Sequence, residues 1–143
     1  MNWSYSTLFF LLPLVTCHGE DDLSHIAQWP DTVAQAKVAG VDYRESVERA
    51  RRGETAALAT LFRVTSHMDG SGMTSHCSVL RLLMESLGDQ RFSRVLARQS
   101  SKVRNGVIHA LDFDFGHPWQ RHFPLTYSLG LHDPRLLGEH KNT

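Results

Sequence analysis

MTSHCSVLRLLMESLGDQRFSRVLARQSSKVRNGVIHAL, residues 73–111, is the stretch that decides the fold. From Thr74 to Leu87 the apolar side chains Val79, Leu80, Leu83, Met84 and Leu87 keep the i, i+1, i+4, i+5, i+8 rhythm of one helix face, and Leu82 widens it. Burying such side chains is worth roughly 1.5–3 kcal/mol each, far more than helix propensity supplies, so this helix needs a partner surface. Gly88 and Asp89 then predict a stop and a restart, with Gly88 as the left-handed residue and Asp89 as the N-cap acceptor. Phe92, Val95 and Leu96 form the apolar side of the next helix, leaving Arg91, Arg94 and Arg98 solvated. Ser100 and Ser101 offer another cap, and Val103, Val107, Ile108 and Leu111 repeat the stripe. Three consecutive short helices follow from this pattern.

The pattern extends upstream. Asp42 is placed to cap a helix running to about Arg52, with Tyr43, Val47 and Ala50 inward, and Gly53 stops it. From Glu54 to about Ser66 the positions Ala57, Leu58, Leu61, Phe62 and Thr65 share a side, which makes a first hairpin. His67 to Met73, with Gly70 and Gly72, is expected as the loop between the two hairpins. Earlier still, Trp29 and Pro30 open a turn or helix that continues through Val33 to Ala39 and stops at Gly40, preceded by an acidic tether beginning Glu20-Asp21-Asp22. Downstream, the character changes at Asp112. Phe113, Phe115, Trp119, Phe123 and Tyr127 alternate with acidic residues, histidines and prolines, predicting irregular backbone whose aromatics cover one face of the helical layer.

Aligned with itself at an offset of 35 residues, the chain places Gly53-Glu54 on Gly88-Asp89, Ala57 on Phe92, Leu61 on Leu96 and Val47 on Leu82. With the Val103-Arg104 pair ahead of Val107 and Ala110-Leu111, this pattern resembles HEAT-type helical repeats over about 70 residues. The resemblance implies an α-solenoid fragment that serves as a scaffold or binding surface and carries no catalytic residues. The fold expectation is therefore all-α: short antiparallel helical hairpins in a solenoid-like or bundle arrangement with an irregular C-terminal tail. Its divisions fall at residues 1–19, 20–41, 42–111 and 112–143.

The first division reads as a signal peptide. No charged side chain occurs before Glu20, and Leu8 to Val15 is an apolar run too short to span a bilayer comfortably. Leu14-Val15-Thr16-Cys17 resembles a bacterial lipoprotein signal, which implies cleavage before Cys17 and lipid attachment to it. Simple cleavage after Cys17 or Gly19 is the alternative, and either route exports the domain to the periplasm, the outer cell envelope or the medium. Cys77 is then a lone thiol in the central helix, and no disulfide scaffold is expected.

Fifteen basic residues balance fifteen acidic ones in a chain of 143, so there is no long-range field to draw a nucleic-acid backbone, and nucleic acid is not an expected partner. Nine histidines make the chain cationic in mildly acidic surroundings. The groups best suited to chemistry are His109, Asp112, His117 and His122, with Asp114 nearby, since imidazoles and carboxylates are ligands for zinc and related ions. Their spacing matches no established ligand motif, and there is no His-Glu-x-x-His helix. His67-Met68-Asp69-Gly70-Ser71-Gly72 brings a histidine, a carboxylate and a hydroxyl together without the strand-to-helix elbow of a hydrolase or the lysine of a phosphate loop. The sequence thus predicts an exported scaffold or protein-binding module with an unknown protein partner, lipid on Cys17 as its membrane anchor and no cofactor. A metal-binding protein or hydrolase built on the His/Asp cluster is the second expectation.

Overall fold

The computed structural model describes residues 19–138, and side chains from Leu23 onward; the leader and Cys17 lie outside the described residues. The fold is all-α, with eight α-helices, one 3-10 turn and no strand among the described residues. The helices are α1 (Gly19–Ile26), α2 (Pro30–Val38), α3 (Tyr43–Arg51), α4 (Thr55–Val64), α5 (Gly70–Leu87), α6 (Asp89–Ala97), α7 (Ser101–Phe115) and α8 (Pro124–Tyr127), with the 3-10 turn at Thr65–His67. None is long and apolar enough to cross a membrane.

Helix α5 is the axle. It packs against α1, α2, α3, α6 and α7, while α3 and α4 form a hairpin beside it. Its stripe of Val79, Leu80, Leu83 and Met84 is fully buried and meets Phe62, Phe92, Ile108 and Leu111 in one continuous core. Phe62 and Phe92 pack edge to face at 4.8 Å, joining α4 to α6. Two predicted caps form: Asp42 Oδ1 accepts the Glu45 N–H at 3.0 Å, and Ser100 Oγ accepts the Val103 N–H at 3.4 Å.

Four local expectations need correction. Helix α5 begins at Gly70, so half of the expected loop His67 to Met73 is its first turn. The reason lies in α2: the Gln35 carboxamide accepts the Asp69 N–H at 2.9 Å and donates to Asp69 Oδ1 at 2.6 Å, fixing the helix entry that the glycines alone would leave loose. A Cβ at Gly72 would collide with that same carboxamide, so Gly72 is there for close approach. Asp89 is the first residue of α6 rather than its N-cap, because Gly88 in an extended, positive-φ conformation (φ 82°, ψ 154°) turns the Asp89 carboxylate toward the C-terminal tail. Helix α7 does not end at Leu111; Asp112 to Phe115 continue it, and Gly116 terminates it. Finally, the segment expected as a tether contains α1, whose Leu23 is buried against the bundle together with Ala27 just beyond the helix.

Beyond Gly116 the tail is irregular apart from α8, and it is tied down at two points. The Asp89 carboxylate accepts the Leu125 and Thr126 N–H groups at 2.8 Å each and the Thr126 hydroxyl at 2.7 Å, capping α8 from another helix. Trp119 is completely buried, stacked on Phe115 at 5.3 Å and edge-on to Tyr127 at 4.9 Å. Of the five aromatics, Phe113 and Phe115 belong to α7, with Phe113 half exposed, while Trp119 joins the core and Phe123 and Tyr127 pack partly against it.

Candidate functional site

Three groups of side chains carry the polar chemistry of the molecule. The first lies in the core. His76, on the buried face of α5, has Nδ1 2.7 Å from the Tyr43 hydroxyl and Nε2 2.9 Å from Thr65 Oγ1, and all three residues are buried. Thr65 Oγ1 also donates to the Leu61 carbonyl at 3.3 Å, which uses its one proton. It must therefore accept from His76 Nε2–H, leaving Nδ1 bare to accept from the Tyr43 O–H. Every polar atom is satisfied with His76 neutral, and burial pushes its pKa down to about 3. Burial likewise raises the Tyr43 phenol well above its usual value. Adjacent Cys77 is fully buried, and burial, with the Asp114 charge, pushes its thiol up to about 12, so it is no nucleophile near neutral pH.

The second group joins α7 to the tail. Asp112 is completely buried, and its Oδ1 accepts the Trp119 indole N–H at 2.9 Å. His132 Nδ1 faces both carboxylate oxygens, at 2.9 and 3.0 Å, and its Nε2 lies 2.7 Å from the Tyr127 carbonyl. A carbonyl only accepts, so Nε2 carries a proton, and Nδ1 faces the carboxylate. The imidazole also stacks on the Tyr127 ring at 3.7 Å and 18°. An aspartate orienting a histidine is half of a hydrolytic triad, but here the far nitrogen is capped by backbone and no hydroxyl or thiol faces it. The pair clamps the tail.

The third is a groove of about 310 Å³ between the start of α5 and α7. Met68, Met73, Cys77 and Ala110 line its interior, Asp69, Thr74 and His109 its rim, and Phe113, half exposed, one wall. The sulfur-bearing lining is soft and adaptable.

The expected ligand set separates in this fold. His109 lies on the groove rim; Asp112 is buried in the clamp; His117 is exposed, with Nδ1 3.1 Å from the Pro118 carbonyl; His122 is exposed on the turn before α8. Asp114 turns the other way, accepting from Ser78 at 2.6 Å and pairing with Arg81. Among the described residues no three His, Cys, Asp or Glu side chains are placed to hold a metal ion, and His109, Asp112, His117 and His122 are not brought together. Ser71, in the other candidate cluster, donates to Asp31 of α2 and has no histidine beside it. Sequence reasoning missed His76 and His132. His76 carried a signal, since it falls three residues before Val79 on the buried stripe; His132 carried none, because its contact with Asp112 spans twenty residues of irregular chain. Comparison of the chain with protein-family models, curated proteins and solved structures gives no match.

Proposed function

We propose that the protein is an exported helical binding module that receives an apolar segment of a partner protein in the groove beside Phe113. One observation carries this reading: the polar clusters around His76 and Asp112 are saturated by their own hydrogen bonds, whereas the Met68, Met73 and Phe113 groove stands open. A half-exposed phenylalanine above flexible methionines is the kind of surface that adapts to apolar side chains, and His109 and Asp69 on the rim add polar selectivity. The leader read from the sequence assigns this activity to the cell envelope, with lipid on Cys17 as anchor. Intact mass of the native protein tests the anchor; a mature chain beginning at His18 or Glu20 excludes it.

The groove is tested by placing a photo-crosslinking phenylalanine analogue at Phe113 in the cells that make the protein. A discrete adduct is expected, lost when Thr74→Arg crowds the groove mouth and absent when the analogue replaces Val38, which is 90% exposed and does not line this groove. Absence of any adduct at Phe113, or the same adduct from Val38, contradicts the reading.

A further inference from the structure

Although the chain has no net charge, its unpaired charge is one-sided. Every described carboxylate from Asp31 to Asp133 already accepts a hydrogen bond from a side chain or a backbone amide. The exposed Arg91 and Arg94 of α6 and Arg98 at its C-cap pair with none of them, and their i, i+3, i+7 spacing sets them along one stripe about 10 Å long. At one end Arg91 reaches over Gly53, the neighbour of exposed Arg52. Four residues beyond Arg98 in the chain, Lys102 in the first turn of α7 flanks, with Arg63 of α4, a notch of about 110 Å³ above Phe62 and Val103.

We infer that this ridge receives an acidic helical segment of a partner protein. Guanidinium groups match carboxylates through paired N–H···O bonds, and glutamates at i, i+4 and i+7 on a facing helix repeat along the same length. The notch accommodates one aliphatic side chain of that helix. A lipid surface fits less well, because α6 itself exposes no large apolar side chain, its Phe92, Val95 and Leu96 being buried, and the exposed Leu125 of α8 stands only at its start. A single-stranded nucleic acid lacks the exposed aromatic platforms that stack its bases. This surface is separate from the Phe113 groove, so it stands or falls independently of it.

The test uses the purified full chain and a fluorescent helical peptide of about five turns with glutamates in that register and a single leucine. Fluorescence anisotropy at low salt should show binding that weakens as salt rises. Arg91→Glu, Arg94→Glu and Arg98→Glu combined should weaken it at least about tenfold, and a peptide with lysines for the glutamates should regain binding to that variant. Lys37→Glu with Arg44→Glu, on the α2–α3 side, should leave binding unchanged. Circular dichroism melts establish that all variants are folded, as expected for substitutions at solvated positions. Equal binding of a glutamine-substituted peptide, equal loss in the α2–α3 variant, or tighter binding to phosphatidylserine vesicles or duplex DNA than to the peptide overturns the inference.

Discussion

His76 and His132 are both drawn into the structure by paired hydrogen bonds, yet they are opposite cases. His76 meets one donor, the Tyr43 hydroxyl, and one acceptor, Thr65 Oγ1, so the neutral ring satisfies both. His132 meets two acceptors, the Asp112 carboxylate and the Tyr127 carbonyl. What a buried histidine does is therefore decided by the donors and acceptors around it, with burial setting only how strictly they must be met. The core site locks α3, the end of α4 and α5 together without charge. The clamp uses a histidine–carboxylate pair to hold a tail whose backbone has little regular structure of its own.

The largest expected effect comes from breaking the clamp. Asp112→Ala removes the acceptor shared by Trp119 and His132 and should cost about 3–5 kcal/mol, the usual loss when one member of a buried pair is deleted. Asp112→Asn should cost less than half as much, since its oxygen still accepts from Trp119 and its amide can donate to a neutral His132. Urea unfolding of the two variants against the parent chain measures the difference; equal losses would mean that neutral hydrogen bonds cannot stand in for the carboxylate. In the core, Tyr43→Phe keeps the ring but leaves His76 Nδ1 buried without a donor, and a loss of about 1–3 kcal/mol should appear in the same experiment.

A smaller effect per step separates the sites by pH. The unfolded chain takes up a proton at His76 near 6.5, while the folded chain refuses it until about 3. Between those values the unfolded state binds more protons, so the His76 contribution is complete above pH 6.5 and declines as pH falls, by roughly 1.4 kcal/mol per pH unit. Urea titrations across that window should show a shallower decline for His76→Gln than for the parent chain. Parallel declines would place the acid sensitivity elsewhere.

Much of the helical bundle was legible because its signal is local and periodic. Val79, Leu80, Leu83, Met84, Val107, Ile108 and Leu111 are buried as their spacing requires, and Asp42 and Ser100 cap as their positions require. The departures arise where a distant side chain overrides a local preference. Gly70 and Gly72 looked like loop residues until Gln35 of α2 fixed the helix start, and Asp89 looked like a cap until α8 supplied better donors. The candidate site suffered most. Asp112, His109, His117 and His122 are close in sequence, but a helix followed by a turn sends them in different directions, and the partner that Asp112 finds is His132. The open groove was invisible because Met68, Met73 and Phe113 come from a loop and two helices, each carrying an unremarkable fragment of it.

That the conspicuous polar residues are committed to structure is tested most directly by long-range proton–nitrogen NMR of the imidazole rings across the acidic range. The account predicts that His76 keeps a bare Nδ1 and a protonated Nε2 until the pH approaches about 3, and that His132 Nε2 carries its proton throughout. A His76 ring that takes up a second proton near 6.5, or a His132 with a bare Nε2, would contradict it.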